Sequence, residues 1–292
     1  MTDKTKAILA IVVGSIIGGA VSSVTKIGLV KIPPFNFSFI RFFLASILML
    51  PFFLKVKVKF DKSFSSLILL SLLPTANVAL FVLGVKTTTA SISQMLYAGT
   101  PILAGIFGFL LFKNRLTLKK WLYILIGLLG VFLVIIFPLL QKNTAFAGDL
   151  KGNILISIGV ILWSLYFVYS KQFQKKYSPL IMTSLFIFVA TVVFFLLAFL
   201  EIQNNFGWWQ SLKTSSIIAL LYVSIFGTVL NYLLNQYAIK FGGPILASLS
   251  FYLLPIFAYL NAFILLGERI TVGLIIGTIL VFTSVALTTY SK

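Results

Sequence analysis

The chain has no cysteine and no histidine, and only five of its 292 residues are acidic. Lack of cysteine removes disulfides, thiolate nucleophiles and iron–sulfur ligation; lack of histidine removes most haem and transition-metal sites as well. The five carboxylates, Asp3, Asp61, Asp149, Glu201 and Glu268, all fall in loops or at the ends of apolar segments. No apolar segment therefore carries paired carboxylates or a base beside its many serines and threonines, which argues against hydrolytic chemistry. There is also no Gly-rich phosphate loop of the Walker type, and no polar stretch long enough for a nucleotide-binding domain. Neither a metal nor any other cofactor is expected, no catalytic residue is assigned, and ATP is not expected as a direct energy source.

What the chain has in abundance is apolar sequence. It is 60% hydrophobic and 10% charged, with a mean hydropathy of +1.11, values that no water-soluble surface tolerates. Ten apolar runs cover 7–25, 34–54, 64–85, 90–112, 121–140, 152–170, 180–200, 214–239, 243–266 and 271–290. Each is close to the roughly 20 residues that cross a hydrocarbon core of about 30 Å as a helix, and none alternates as a barrel strand would. The first run is too long for a signal-peptide core and is followed by Lys26 and Lys31 instead of a cleavage site, so it is kept as the first span.

The net charge of +18 is distributed between the spans. With the N-terminus inside, the cytoplasmic loops receive Lys55, Lys57, Lys59, Lys62, Lys113, Arg115, Lys171, Lys175 and Lys176 among others, and the opposite side receives fewer cations. Both termini are therefore placed in the cytoplasm of a multi-pass protein of the inner (cell) membrane. The expected partners are the lipid bilayer and a small-molecule substrate. Nucleic acid is not expected, because no soluble domain offers a contiguous basic face, and a monomer is the working assumption.

The ten runs are two sets of five. A shift of about 154 positions superposes Asn77 on Asn231, Lys86 on Lys240, Pro101 on Pro255 and Arg115 on Arg269, and a shift of about 145 puts Gly14 on Gly159, Lys26 on Lys171 and Pro34 on Pro179. Polar residues are scarce here, so such matches are improbable by chance, and the changed shift implies a loop inserted at 201–213. Because five is odd, the second set enters the membrane from the opposite side. The expected fold class is an all-α polytopic membrane protein with ten transmembrane helices as two inverted five-helix repeats, 1–142 and 143–292, an architecture of secondary transporters.

Pro101 and Pro255 occupy equivalent places in the fourth and ninth spans, where each frees the carbonyl four residues earlier. Duplication in register favours a hinge near a binding region over an ordinary kink. Gln94, Tyr97 and Pro101 share one helical face, as do Ser248, Tyr252 and Pro255. Asn77 and Asn231 correspond between repeats, with Asn235 one turn on, and each amide reads equally as inter-helix glue or as cavity lining. Trp163 and Tyr166 lie one turn apart in the sixth span. Arg41 is the intramembrane charge, about 10 Å deep at 1.5 Å per residue from Pro34. A snorkelling side chain, or one bonding helix-end carbonyls, is preferred over direct substrate contact. Gly105, Gly108, Gly127 and Gly130 read as close helix packing.

The repeat ends, Pro101 to Thr117 with Lys113-Asn114-Arg115-Leu116-Thr117 and Pro255 to Thr271 with Gly267-Glu268-Arg269-Ile270-Thr271, resemble EamA-type domains of the drug/metabolite transporter superfamily. Trp163 with Lys171, and Pro34 with Arg41, are similar to the family's first-span and second-span patterns. The resemblance covers essentially the whole chain. It implies ten helices, alternating access and a central substrate cavity, and carries over Asn77, Gln94, Tyr97, Trp163, Tyr166, Asn231, Ser248 and Tyr252 as substrate-binding residues. Gly18 stands where the first repeat would have its Trp. The expected function is a secondary transporter, an exporter or exchanger of small neutral or zwitterionic metabolites such as amino acids. The alternatives are a passive channel or a non-transporting membrane scaffold or receptor.

Overall fold

The computed structural model describes residues 1–56, 58, 61–88, 90–141, 149–202, 207–266 and 272–290, and among these the chain is almost wholly helical with no strand. The boundary between the repeats at 142/143 and residues 267–271, the close of the motif that begins at Pro255, lie outside the described residues. The first span is α1 (Asp3–Gly19) followed by α2 (Val21–Leu29), with a bend at Ala20; the second and third are α3 (Pro34–Leu54) and α4 (Lys62–Thr87). The fourth is broken into α5 (Ala90–Tyr97) and α6 (Thr100–Phe112), and the fifth is α7 (Leu118–Gln141). In the second repeat α8 (Leu150–Phe173) and α9 (Pro179–Ile202) are the sixth and seventh. The eighth runs from α10 (Thr214–Tyr222) through a π-helical stretch, Val223–Leu230, into α11 (Asn231–Ser248). The ninth and tenth end in α12 (Ser250–Leu266) and α13 (Val272–Tyr290).

Among the described residues seven helices are long and apolar enough to cross a bilayer, with shorter apolar ones besides. Two of the ten expected spans join at a kink. Gly243 has φ 82 and ψ 169 and precedes Pro244, so the chain turns there between the eighth and ninth spans. A side chain at that φ would be strained, which is why glycine holds the corner.

The scarce carboxylates are spent on helix ends. Asp61 accepts from the backbone N–H of Phe64 (3.1 Å) and Asp149 from that of Gly152 (3.2 Å), starting α4 and α8. Glu201, at the end of α9, reaches across to the start of α3, where one oxygen accepts from the backbone N–H groups of Phe35 and Asn36 and from the Asn36 amide, each at 2.9 Å. A negative charge there also complements the helix dipole.

The repeat is visible as contacts made twice. Spans pair across the repeats, α4 on α8, α1 on α11, α3 on α9 and α7 on α13. In one crossing the Asn77 amide donates to the Gly159 carbonyl (2.8 Å). In its counterpart Asn231 sits against Gly14, where an added Cβ would meet Oδ1 at 3.3 Å. The two sequence shifts convert the first contact into the second. Asp61, at the loop after the second span, pairs with Lys176 and Tyr177 after the sixth. The second and sixth spans therefore end on one face, and the sixth runs opposite to the first, as inversion requires.

The outer surface is apolar. On α7, Leu118, Leu122, Leu125 and Leu129 are exposed, and on α9, Val192, Phe195, Leu196, Phe199 and Leu200. The interior holds Ser15, Arg41, Thr100, Ser164 and Gln236. Polar groups inside and hydrocarbon outside is the arrangement that lipid selects.

Candidate functional site

At the interface between the repeats lies a cavity of about 100 Å³, with walls from both. The first repeat contributes Gly18, Ser22, Arg41, Asn77, Gln94 and Tyr97, and the second Trp163, Asn231, Tyr232, Asn235 and Phe251, with apolar side chains between them. Irregular backbone surrounds it. The first span bends at Ala20, beside Gly18, Val21 and Ser22; the fourth breaks just after Tyr97; and the π-helical stretch of the eighth ends at Leu230, just before Asn231. Such breaks at membrane depth are tolerated where they line a cavity or are otherwise satisfied. Here the carbonyl of Tyr97, freed by Pro101, accepts from the Thr100 hydroxyl at 2.6 Å.

Of the expected binding residues, Asn77, Gln94, Tyr97, Trp163 and Asn231 line this cavity and Tyr166, Ser248 and Tyr252 do not. Asn77 bridges two walls, donating to the Tyr97 hydroxyl (2.6 Å) as well as to the Gly159 carbonyl. The amides of Gln94, Asn231 and Asn235 have no hydrogen-bond partner among the described residues and are not sealed from the cavity. Tyr97 stacks on Phe251 with centroids 5.4 Å apart, and Trp163 lies 5.7 Å from the Tyr232 ring.

The three residues outside the lining have other partners. Tyr252 is fully buried toward the fifth span, its hydroxyl donating to the Ile124 carbonyl (3.0 Å) and its ring beside Gly127. Ser248 donates to the carbonyl of Ile245 (2.7 Å). Tyr166 accepts from Gln236 (2.9 Å), which is also within reach of Ser170 (3.3 Å) and accepts from Gln174 (2.6 Å). Lys171 adds a bond to the Lys240 carbonyl (2.7 Å). Together these form a polar seam between α8 and α11.

Arg41 is 2% exposed and does not snorkel. Its Nε donates to Thr228 Oγ1 (2.5 Å) and one Nη to the Tyr232 hydroxyl (2.9 Å), with the guanidinium 5.1 Å from the Phe42 ring centre. Thr228 can accept because its own proton goes to the Val223 carbonyl five residues back (2.7 Å), a bond that belongs to the π-helical turn. The widened turn thus presents a hydroxyl to a charge in the membrane interior, in keeping with the frequent occurrence of π-turns at functional sites.

The sequence profile of the EamA-like transporter family matches residues 5–136 and 150–290. The chain belongs to that family. An uncharacterized transporter of Archaeoglobus fulgidus is 28% identical to it over 99% of this chain and 98% of its own length. The uncharacterized inner membrane transporter YedA of Escherichia coli is 28% identical over 88% and 81%. A solved crystal structure shares the fold, with a TM-score of 0.78 at 18% identity and 99% of each chain covered. This EamA-like chain is accordingly a membrane transporter.

Several lining residues of the EamA-like chain escaped the sequence reading. Tyr232, Phe251 and Ser22 carry no distinguishing spacing. Gly18 was marked only by the missing Trp, yet that absence shapes the cavity: an added Cβ would come within 2.7 Å of Leu254 and 3.1 Å of Asn231. One repeat supplies a large ring at this level, and the other lets Leu254 and Asn231 approach its backbone closely.

Proposed function

We propose that the protein is a secondary transporter, an exporter or exchanger, of small zwitterionic or neutral metabolites such as amino acids, working by alternating access across the inner membrane with both termini in the cytoplasm. The observation that carries this reading is the cavity at the repeat interface, lined by amides, rings and hydroxyls from both repeats and bordered by broken helices. A channel needs a continuous polar path, whereas here the polar side chains gather around one cavity beside the helix breaks. Asn77, Gln94, Tyr97, Trp163 and Asn231 are the substrate contacts in this reading, and Pro101 and Pro255 are the hinges. Counterflow in proteoliposomes is the test. Labelled amino acid should enter faster when the vesicles are preloaded with the unlabelled compound; uptake indifferent to preloading would indicate a channel, and no uptake of any amino acid would remove the amino-acid reading.

A further inference from the structure

Arg41 is more than the packing requires. A guanidinium has five N–H donors and stays charged at any physiological pH. Two are used, by Thr228 and Tyr232, and both acceptors are neutral hydroxyls that an uncharged amide would satisfy equally well. Its remaining nitrogen, Nη1, has no partner among the described residues and is not sealed in the packing, so it faces the cavity that Arg41 lines. Keeping a full charge inside a membrane protein is expensive unless something compensates for it. None of the described carboxylates does so. Asp3 pairs with Lys6, Asp61 with Lys176, Asp149 caps α8, and Glu201 is held by the first turn of α3.

Resting on the transporter reading above, we propose that the cavity recognises its substrate by a carboxylate seated on the free N–H edge of Arg41. The unpartnered amide oxygens of Gln94, Asn231 and Asn235 are placed to accept from donor groups elsewhere on the substrate. Trp163 and Phe251 provide the apolar wall for the rest of it. The cavity then has one fixed positive charge and several neutral dipoles, which suits a carboxylate with or without an ammonium group and disfavours a cation. Arg41 is in this sense a specificity-determining residue. The low-dielectric walls strengthen the pairing, since a charge-assisted bond to a planar fork outlasts the same bond in water.

The test uses protein in nanodiscs and calorimetric titration with matched pairs: isovalerate against isovaleramide, L-leucine against L-leucinamide, and L-phenylalanine against L-phenylalaninamide. In at least one pair the carboxylate should bind about tenfold or more tighter, and Arg41→Gln should bring that ratio to about one. Thr228→Val, which removes a neutral partner and keeps the charge, should preserve the preference. Should Arg41→Gln not fold, Arg41→Lys replaces it, and the preference should persist with weaker binding because the paired N–H geometry is gone. The isovalerate arm separates recognition of a bare carboxylate from recognition of a zwitterion. Equal binding of amides, a preference that survives Arg41→Gln, or no carboxylate bound in wild type overturns the proposal. Flux of neutral amides that ignores Arg41 would leave transport standing and remove this site; carboxylate binding with no counterflow would do the reverse.

Discussion

At the level of single residues, the glycines show how differently one added methyl weighs in two places. At Gly84 a Cβ would lie 2.8 Å from the backbone carbonyl of Gly152, where α4 crosses α8, and backbone there cannot move without separating the spans. Gly84→Ala should therefore destabilise the protein by about 1–3 kcal/mol, seen as a lower melting temperature in detergent. At Gly18 the nearest atom is the flexible end of Leu254, and the new group would press on Leu254 and Asn231, which both line the cavity. Gly18→Ala should leave the melting temperature nearly unchanged and slow counterflow instead. A melting loss at Gly18 comparable to that at Gly84 would show that the cavity wall is as rigid as the crossing. Legibility in the sequence followed the same logic. Asn77 and Asn231 stood out because amides are rare in hydrocarbon, while Gly18 and Tyr232 act through missing volume or a neighbour's charge, which no spacing reveals. Ser248 and Tyr252 were counted onto one helical face with Pro255, but the helix is interrupted at Leu249, between α11 and α12. The count fails across that break, and Tyr252 turns toward the fifth span.

At the level of elements, the two broken spans are not broken alike. Pro101 sits in the first turn of α6, after a break at Ala98 and Gly99, whereas Pro255 lies within α12, some residues past the break at Leu249. If both permit bending, Pro101→Ala with Pro255→Ala should fold, since alanine is the better helix former, and should slow counterflow more than it weakens substrate binding. Exchange at the wild-type rate would reduce the prolines to packing kinks. The start of α4 offers a separate test, outside the membrane. The bond from Lys176 is the main reason that the Asp61 carboxyl is held below its ordinary value of 3.8, helped by the Phe64 backbone N–H, and the same pairing raises the Lys176 pKa. A carboxylate with a lowered pKa contributes stability that is complete above the unfolded value and is lost as pH falls through the folded one. Asp61→Asn should therefore lower the melting temperature near neutral pH, and the gap to wild type should close as the pH drops below about 4. A gap that persists in acid would assign the effect to the helix cap alone.

At the level of the whole molecule, the architecture was the most legible part, because it is written in repeats and parity that local packing cannot override. Repeats with an odd number of spans invert, and the contacts of Asn77 with Gly159 and of Asn231 with Gly14 are those expected of such a pair. The absent cysteine turns this into a direct experiment. With no native thiol, every single-cysteine variant carries one reporter. Lys55→Cys and Lys175→Cys lie on the face of the Asp61–Lys176 pair, whereas Lys31→Cys and Lys213→Cys lie at the ends of spans on the face where Lys26 bonds the Thr88 carbonyl (2.8 Å). A membrane-impermeant maleimide added to intact cells should label Lys31→Cys and Lys213→Cys, and should reach Lys55→Cys and Lys175→Cys only after permeabilisation. Labelling of the two pairs in the opposite order would keep the inverted repeat and reverse the protein in the membrane, placing its termini outside. Labelling of Lys55→Cys and Lys175→Cys from opposite sides would break the inversion itself, and with it the alternating-access reading that depends on two repeats facing each other across one cavity.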